Sequence, residues 1–117
     1  MLKIYEYKNC STCQKALKFL DSKKISYQKI PIRETPPTLA EIKKMLSFLN
    51  GDIKKLFNIS GQDYRALDLK TKLPLMSEGQ ALELLSKNGN LIKRPFVLTN
   101  NDGWVGFDEE AWNKKLK

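Results

Sequence analysis

No histidine occurs in the 117 residues, and cysteine occurs only twice, at Cys10 and Cys13. A structural zinc site needs four ligands, which this inventory cannot supply without carboxylates or a second subunit. Two cysteines are also too few for a disulfide-stapled framework, yet a chain of this length should bury a core as one domain without staples. Long apolar runs are missing: nothing approaches membrane-spanning length. The opening Met1-Leu2-Lys3-Ile4-Tyr5-Glu6 carries charge every few residues, where a secretory signal would be apolar. The expected compartment is therefore the cytoplasm, where two cysteines this close are more often catalytic or redox-sensing than a permanent bridge. There is no phosphate-cradling glycine loop and no cofactor fingerprint, so no bound cofactor is expected. Arginine is scarce as well, three against 18 lysines, for a net charge of +8. Lysines spread singly over helix faces serve solubility. Without a basic run or an aromatic-interleaved basic stripe, direct nucleic-acid binding is not expected. The excess charge can still draw in oxyanions, glutathione or an acidic protein surface.

What the sequence does offer is concentrated in Lys8-Asn9-Cys10-Ser11-Thr12-Cys13-Gln14-Lys15. An extended run, Leu2 to Tyr7, gives way there to a helical period beginning near Thr12. A thiol at that junction lies beside the unpaired N–H groups and positive dipole end of a helix, which favour thiolate over thiol. Cys10 is the candidate nucleophile, and Cys13 the candidate resolving thiol. A lone cysteine is most often a small buried hydrophobe, but two at this spacing near a βαβ pattern read as a redox motif. Lys8 and the hydroxyls of Ser11 and Thr12 are near enough to assist, although capping and surface positions are the commoner roles for such residues.

The chain as a whole has the composition of an ordinary globule, 41% apolar and 29% charged. Leu2 and Ile4 share one face of the first strand, Tyr5 and Tyr7 the other. Ala16, Leu17, Phe19 and Leu20 recur at helical spacing opposite Lys15, Lys18 and Lys23, predicting an amphipathic helix to about Lys24. Ile25 to Ile32 reads as a second strand, which makes a right-handed parallel βαβ unit, with Pro31 at the strand's end or on an edge. Thr38-Leu39-Ala40-Glu41 has capping-box spacing, and Leu39, Ile42, Leu46 and Leu49 carry a second helix to Asn50-Gly51. Residues 52–73 break into short helical pieces. Ser77-Glu78-Gly79-Gln80 is a second capping box, with Ala81, Leu84 and Leu85 facing inward up to Asn88-Gly89.

Phe96-Val97-Leu98-Thr99 and Trp104-Val105-Gly106-Phe107 form a β-hairpin across Asn100-Asn101-Asp102-Gly103, a turn dense in residues that tolerate φ > 0. Asp108 caps a last helix, with Glu109 and Glu110 at its positive end and Lys114, Lys115 and Lys117 at its negative end. Trp104 and Trp112 are assigned to packing the hairpin and this helix. The order βα, β, helical block, ββα implies an α/β domain over residues 1–117. It would be thioredoxin-like (glutaredoxin-like), a mixed four-stranded sheet with an all-helical insertion over about 38–90.

Five stretches carry a resemblance: Tyr5-Glu6-Tyr7-Lys8-Asn9-Cys10-Ser11-Thr12-Cys13, Glu34-Thr35-Pro36-Pro37-Thr38, Leu56-Phe57-Asn58-Ile59-Ser60-Gly61 with Tyr64-Arg65, Leu91-Ile92-Lys93-Arg94-Pro95, and Val105-Gly106-Phe107. With all five in order, the chain resembles the bacterial arsenate reductase (ArsC), Spx and MgsR family over nearly its whole length. The resemblance implies attack on an oxyanion by the thiolate matching Cys10, with Arg94 ahead of Pro95 holding the substrate and Thr12 beside it. A guanidinium offers a planar fork to an oxyanion and lowers the pKa of a nearby thiol. The proline of this fold is commonly cis and faces the cysteine, which would set Pro95 beside Cys10.

Two departures from the family pattern shape the expectation. The arginines that complete the oxyanion cage in the reductases fall on Asn58 and Phe107, and a site short of two cations binds a multiply charged anion less well. Cys13 matches the Spx and MgsR branch, in which the pair is a disulfide switch and the protein binds RNA polymerase. That branch has an arginine in the insertion where this chain reads Asn58-Ile59-Ser60-Gly61. The favoured reading is a thiol-dependent oxidoreductase that attacks a disulfide or an oxyanion, with glutathione, glutaredoxin or a thioredoxin-type reductant as co-substrate. The alternative is a redox-sensing regulator whose Cys10–Cys13 oxidation alters a surface that docks on the RNA polymerase α-subunit. A third, an inert member keeping the fold for another contact, has no residue of its own to support it.

Overall fold

Residues 2–116 are described by the structure, a computed structural model. Strand β1 (Leu2–Glu6) is covered on both faces. Its alternation sends Leu2 and Ile4 into one apolar cluster and Tyr5 into another on the opposite side. Helix α1 (Ser11–Ser22) buries Ala16, Leu17, Phe19 and Leu20 against the first of these and leaves Lys15, Lys18 and Lys23 in solvent. It begins at Ser11 rather than near Thr12, because Cys10 itself is the N-cap. Strand β2 (Tyr27–Pro31) pairs parallel with β1, Leu2 opposite Tyr27 and Glu6 opposite Pro31, so Pro31 does close the strand. It starts two residues later than the alternation suggested, since the Ile25 N–H turns back to the Leu20 carbonyl at 3.0 Å.

The segment between β2 and the hairpin is built of helices and 3-10 turns joined by loops, with one isolated antiparallel bridge from Phe57 to Ile92, and packs on the Tyr5 side of the sheet. Helix α2 (Leu39–Phe48) starts on the expected capping box: the Thr38 hydroxyl accepts from the Glu41 N–H, and the Glu41 carboxylate accepts from the Thr38 N–H. Each such cap is worth about 1 kcal/mol. Glu41 also ties the helix to β1, accepting from the Tyr5 hydroxyl at 2.7 Å and from Lys3 at 3.0 Å. The buried stripe of α2 is Ile42, Met45 and Leu46, whereas Leu39 is 40% exposed at the open end of the helix. Positive φ at Asn50 (58°) and Gly51 (80°) ends α2 where expected.

Short pieces follow: a 3-10 turn Ile53–Leu56, α3 (Gln62–Ala66), α4 (Leu69–Lys72) and a 3-10 turn Leu73–Leu75. Helix α5 (Glu78–Lys87) has the second capping box, Ser77 with Gln80, and buries Ala81, Leu82 and Leu85. Leu84, expected inside, is only partly covered. A last turn, Gly89–Leu91, presses on the end of β2. A side chain at Gly89 would collide with the Ile32 carbonyl, so only glycine allows this approach.

Strands β3 (Phe96–Leu98) and β4 (Gly103–Val105) form the antiparallel hairpin, and β3 pairs antiparallel with β1. The sheet order is β2-β1-β3-β4, mixed as expected. None of the described positive-φ residues lies in the hairpin turn. The turn is closed instead by hydrogen bonds: Asp102 accepts from Thr99 N–H through its carbonyl at 2.9 Å and from Gly103 N–H through its carboxylate at 2.7 Å. Helix α6 (Glu109–Lys115) is capped by the Asp108 carboxylate, carries Lys114 and Lys115 in its last turn, and buries Trp112 against α1 and Trp104. Lys117 lies outside the described residues. Among the described residues no helix is long and apolar enough to cross a membrane.

Candidate active site

Between β1 and α1 the chain turns on a hydrogen bond from the Cys10 N–H to the Tyr7 carbonyl at 3.0 Å. The Gln14 side chain donates back to the Lys8 carbonyl at 2.9 Å and holds the turn against the helix. Cys10 is thereby fixed as N-cap, and its Sγ accepts the Cys13 N–H at 3.3 Å, the bond that a serine or aspartate oxygen makes at an ordinary helix start. Both cysteines are free thiols, Cys10 part-exposed and Cys13 buried.

Their proton affinities diverge. Cys10 is lowered from the ordinary thiol value of 9.0 to about 5. The largest cause is a hydrogen bond from the Cys13 thiol; the Cys13 N–H and the Arg94 guanidinium add to it, against partial burial. Cys13 is pushed strongly up, first because its thiol donates to Cys10, then by burial. The divergence favours the thiolate at Cys10 and the thiol at Cys13.

Arg94 arrives from the far end of the chain on the loop before β3, through a cis peptide bond to Pro95. Its guanidinium lies 5.2 Å from the centroid of the Tyr7 ring, on which Arg33 also stacks at 4.7 Å. The Nη1 of Arg94 is buried with no hydrogen-bond partner. A guanidinium with an unspent donor next to a thiolate is equipped to hold an anion there.

A cleft of about 630 Å³ opens over the sulfur, with Cys10, Thr12, Asn58, Ser60, Lys93 and Arg94 on its polar side. Trp104, Phe107 and Trp112 form its apolar side, edge-to-face with Phe107 at 4.9 Å and Trp104 at 5.7 Å from Trp112. The fold thus gathers Cys10, Thr12, Asn58 and Arg94 in one cavity; Cys13 is buried, and the Pro95 carbonyl accepts the Gly106 N–H at 2.9 Å. Lys8 and Ser11 are exposed and do not line it; Lys8 borders a different cavity.

Among the lining residues not expected there as site residues are Ser60, Lys93, Trp104 and Trp112. The two tryptophans do pack as predicted, and the same rings also wall the cleft. Only the adjacency of Lys93 to Arg94 pointed to it in the sequence. Asn58 and Phe107, the positions short of arginine, both line the cavity, and Lys93 brings a cation to it from a different place. Lys115 borders the cavity too, but it is bound to Asp102 at 3.1 Å.

Residues 5–115 match the ArsC family as a whole. The chain is 42% identical over 113 residues to the uncharacterized protein YusI of Bacillus subtilis, covering 97% of this chain and 96% of that one. It is 28% identical over 117 residues to the global transcriptional regulator Spx of Listeria innocua, covering 99% and 87%. Among solved structures, a possible arsenate reductase from Streptococcus mutans superposes with a TM-score of 0.88 at 40% identity, covering 97% of this chain and 98% of that one.

Proposed function

The chain belongs to the ArsC family, and from that premise we propose that it is a thiol-dependent oxidoreductase acting through Cys10 on a disulfide or an oxyanion. The carrying observation is the Cys10 sulfur set as N-cap, 3.3 Å from the Cys13 nitrogen, in one cleft with Arg94. The Cys10 thiolate attacks one sulfur of a substrate disulfide. The S–S bond breaks, its electron pair leaves with the departing thiolate, and that thiolate takes a proton from solvent. Cys13 then gives up its proton as its sulfur attacks Cys10, releasing the second half of the substrate as thiolate. Two electrons from glutathione, glutaredoxin or a thioredoxin-type reductant return the Cys10–Cys13 disulfide to dithiol. With an oxyanion such as arsenate, Arg94 and Thr12 hold the oxygens while the Cys10 sulfur bonds to arsenic and one As–OH oxygen leaves as water with a proton from solvent. An external thiolate then attacks the Cys10 sulfur, the S–As electron pair goes to arsenic, which leaves as arsenite, and a second external thiol returns the mixed disulfide on Cys10 to thiol. The protein is assayed with arsenate and with a small disulfide in the presence of glutathione and glutaredoxin. Turnover is expected for the wild type and none for Cys10→Ser; no turnover of the wild type on any such substrate overturns this reading.

A second reading has its own support in Cys13 and in the likeness to Spx. Under it the Cys10–Cys13 disulfide is a switch, and the oxidised protein docks on the RNA polymerase α-subunit. Oxidised protein retained on immobilised α-subunit, with Cys13→Ala differing, supports it. Absence of binding in either redox state ends it.

A further inference from the structure

Among the described residues three buried side-chain atoms lack a hydrogen-bond partner: Glu6 Oε2, Arg94 Nη1 and Trp104 Nε1. Glu6 borders a cavity that Cys10 does not line, whereas Arg94 and Trp104 both line the cleft over Cys10. The other tryptophan of the wall is settled, its indole N–H donating to the Gly106 carbonyl at 3.1 Å. Trp104 is 7% exposed, and a buried donor left unspent is costly. Lys93 shares this wall. Its N–H donates to the Leu56 carbonyl at 2.7 Å, and its Cε lies 3.4 Å from the place a β-carbon on Gly106 would take, so the side chain runs past Gly106 along the cleft. None of the ion pairs among the described residues uses its ammonium. The other charges around the cleft are engaged, Lys115 with Asp102 and the Asp108 carboxylate with the N–H groups of Glu110 and Ala111. A second cavity of about 510 Å³ shares Lys93, Trp104 and Val105 with the cleft and extends it over Phe57 and Ile59, with Lys54 and Lys55 outnumbering Asp52 at its border.

We propose that the cleft is built for a small organic disulfide with a carboxylate beside an apolar body, and that Lys93 and Trp104 are the residues that recognise it. This rests on the reading of Cys10 as nucleophile and narrows its target. A tetrahedral oxyanion fills only a small part of 630 Å³ and leaves the aromatic wall and the second cavity unused. The joined cavities are cationic on one side and apolar on the other, the complement of an amphipathic anion, and volumes of this order suit an organic ligand. Lys93 brings a compact point charge, which suits a carboxylate, where guanidinium forks suit a caged oxyanion. Its ammonium takes the carboxylate, the Trp104 ring lies against the apolar body, and a carboxylate oxygen relieves the indole N–H. Arg94 stays with the sulfurs, where its charge meets the leaving thiolate. The Cys10 thiolate bonds to the sulfur of the held half, and the S–S electron pair leaves with the other half as thiolate. Cys13 then loses its proton to solvent as its sulfur displaces the held half from Cys10. The external thiol reductant named above returns the Cys10–Cys13 disulfide to dithiol.

The test titrates the reduced wild-type protein with nitrobenzoate and with its neutral counterpart nitrobenzamide, followed by the indole N–H signals in NMR spectra. Nitrobenzoate is expected to move the Trp104 indole signal saturably and to move the Trp112 signal, already bonded to Gly106, less. It is expected to bind roughly fivefold more tightly than nitrobenzamide, and Lys93→Gln to remove that preference, the size of one part-exposed charge pair. A kinetic arm times the release of chromophore from dithiobis(nitrobenzoate) and from the carboxylate-free dithiodipyridine. The ratio of the two rates is expected to fall roughly fivefold in Lys93→Gln. No saturable movement of the Trp104 signal, equal binding of nitrobenzoate and nitrobenzamide, or a rate ratio unmoved by Lys93→Gln overturns the proposal. Neither titrant holds a disulfide, so a failure of binding here is distinct from a failure of Cys10 to turn over arsenate or a small disulfide.

Discussion

The mouth of α1 and the first turn inside it carry the same side chain under opposite physics. Cys10 is in the non-helical N-cap conformation, φ −95° and ψ 112°, part-exposed and open to the cleft. Cys13, three residues on, has no exposed surface at all. The sulfur at the cap receives hydrogen bonds and faces a guanidinium; the one inside gives a hydrogen bond and is desolvated. The difference teaches that a Cys-x-x-Cys pair is asymmetric before any substrate arrives, because a helix start has one place where a negative charge is welcome. Under the proposed function, attack belongs to the outer thiol, and resolution waits until the outer sulfur has lost its charge.

The largest way to break this contrast is to remove the outer thiol. Cys10→Ser should cut turnover by about 10⁴-fold or more, as loss of a nucleophile does. It should also flatten the pH dependence of stability. Cys10 has a folded value depressed to about 5 from 9.0, so its contribution is fully present above the unfolded value and is lost as pH falls through the folded one. Reduced wild-type protein therefore gains stability as pH rises from about 5 towards 9, against an opposing trend from Cys13 near the top of that range, and the serine variant lacks the Cys10 part of that slope. Urea midpoints at several pH values read this directly.

Arg94→Leu removes the guanidinium while keeping an apolar stem. The Cys10 midpoint should rise by about one unit, and kcat/KM should fall by roughly 10²-fold. A fall in kcat/KM with an unmoved midpoint would assign Arg94 to substrate alone. Cys13→Ala sharpens the comparison from inside. It deletes the largest cause of the low Cys10 value but keeps the Cys13 N–H, so the Cys10 midpoint should rise only part of the way to 9.0. Turnover with external thiol should persist, and the intramolecular disulfide cannot form. The smallest effects belong to Lys8→Ala and Ser11→Ala: both side chains are exposed and outside the cleft, and stability should stay within about 0.5 kcal/mol. A tenfold loss of activity in either would restore it to the site.

Much of this was legible because it is local. The period change across Leu2 to Leu20, both capping boxes, the Asp108 cap and the hairpin each depend on residues within a few positions of one another, and each stands where the pattern put it. The strand-to-helix turn marked Cys10 as the candidate nucleophile for the same reason, and the fold sets that residue as the N-cap of α1. What escaped depends on distance along the chain. Lys93, Trp104 and Trp112 meet over Cys10 only because β3 lies beside β1 and α6 folds back across the hairpin. Met45 replaced Leu39 in the α2 stripe because α2 meets the sheet through its middle turns, leaving its first residue at the rim. The hairpin turn used Asp102 as an acceptor where positive φ had been expected, a choice the composition leaves open. Glu6 sits at a strand position that alternation marks as inward, but its want of a partner is a property of the whole fold.

The Cys10 thiol titration of the reduced wild-type protein, followed by thiolate absorbance with Cys10→Ser as the blank, tests the central claim most directly. A midpoint near 5 is the predicted result. A midpoint near the ordinary thiol value of 9.0 would contradict it, since the helix start and Arg94 would then leave the sulfur no better a nucleophile than a free cysteine.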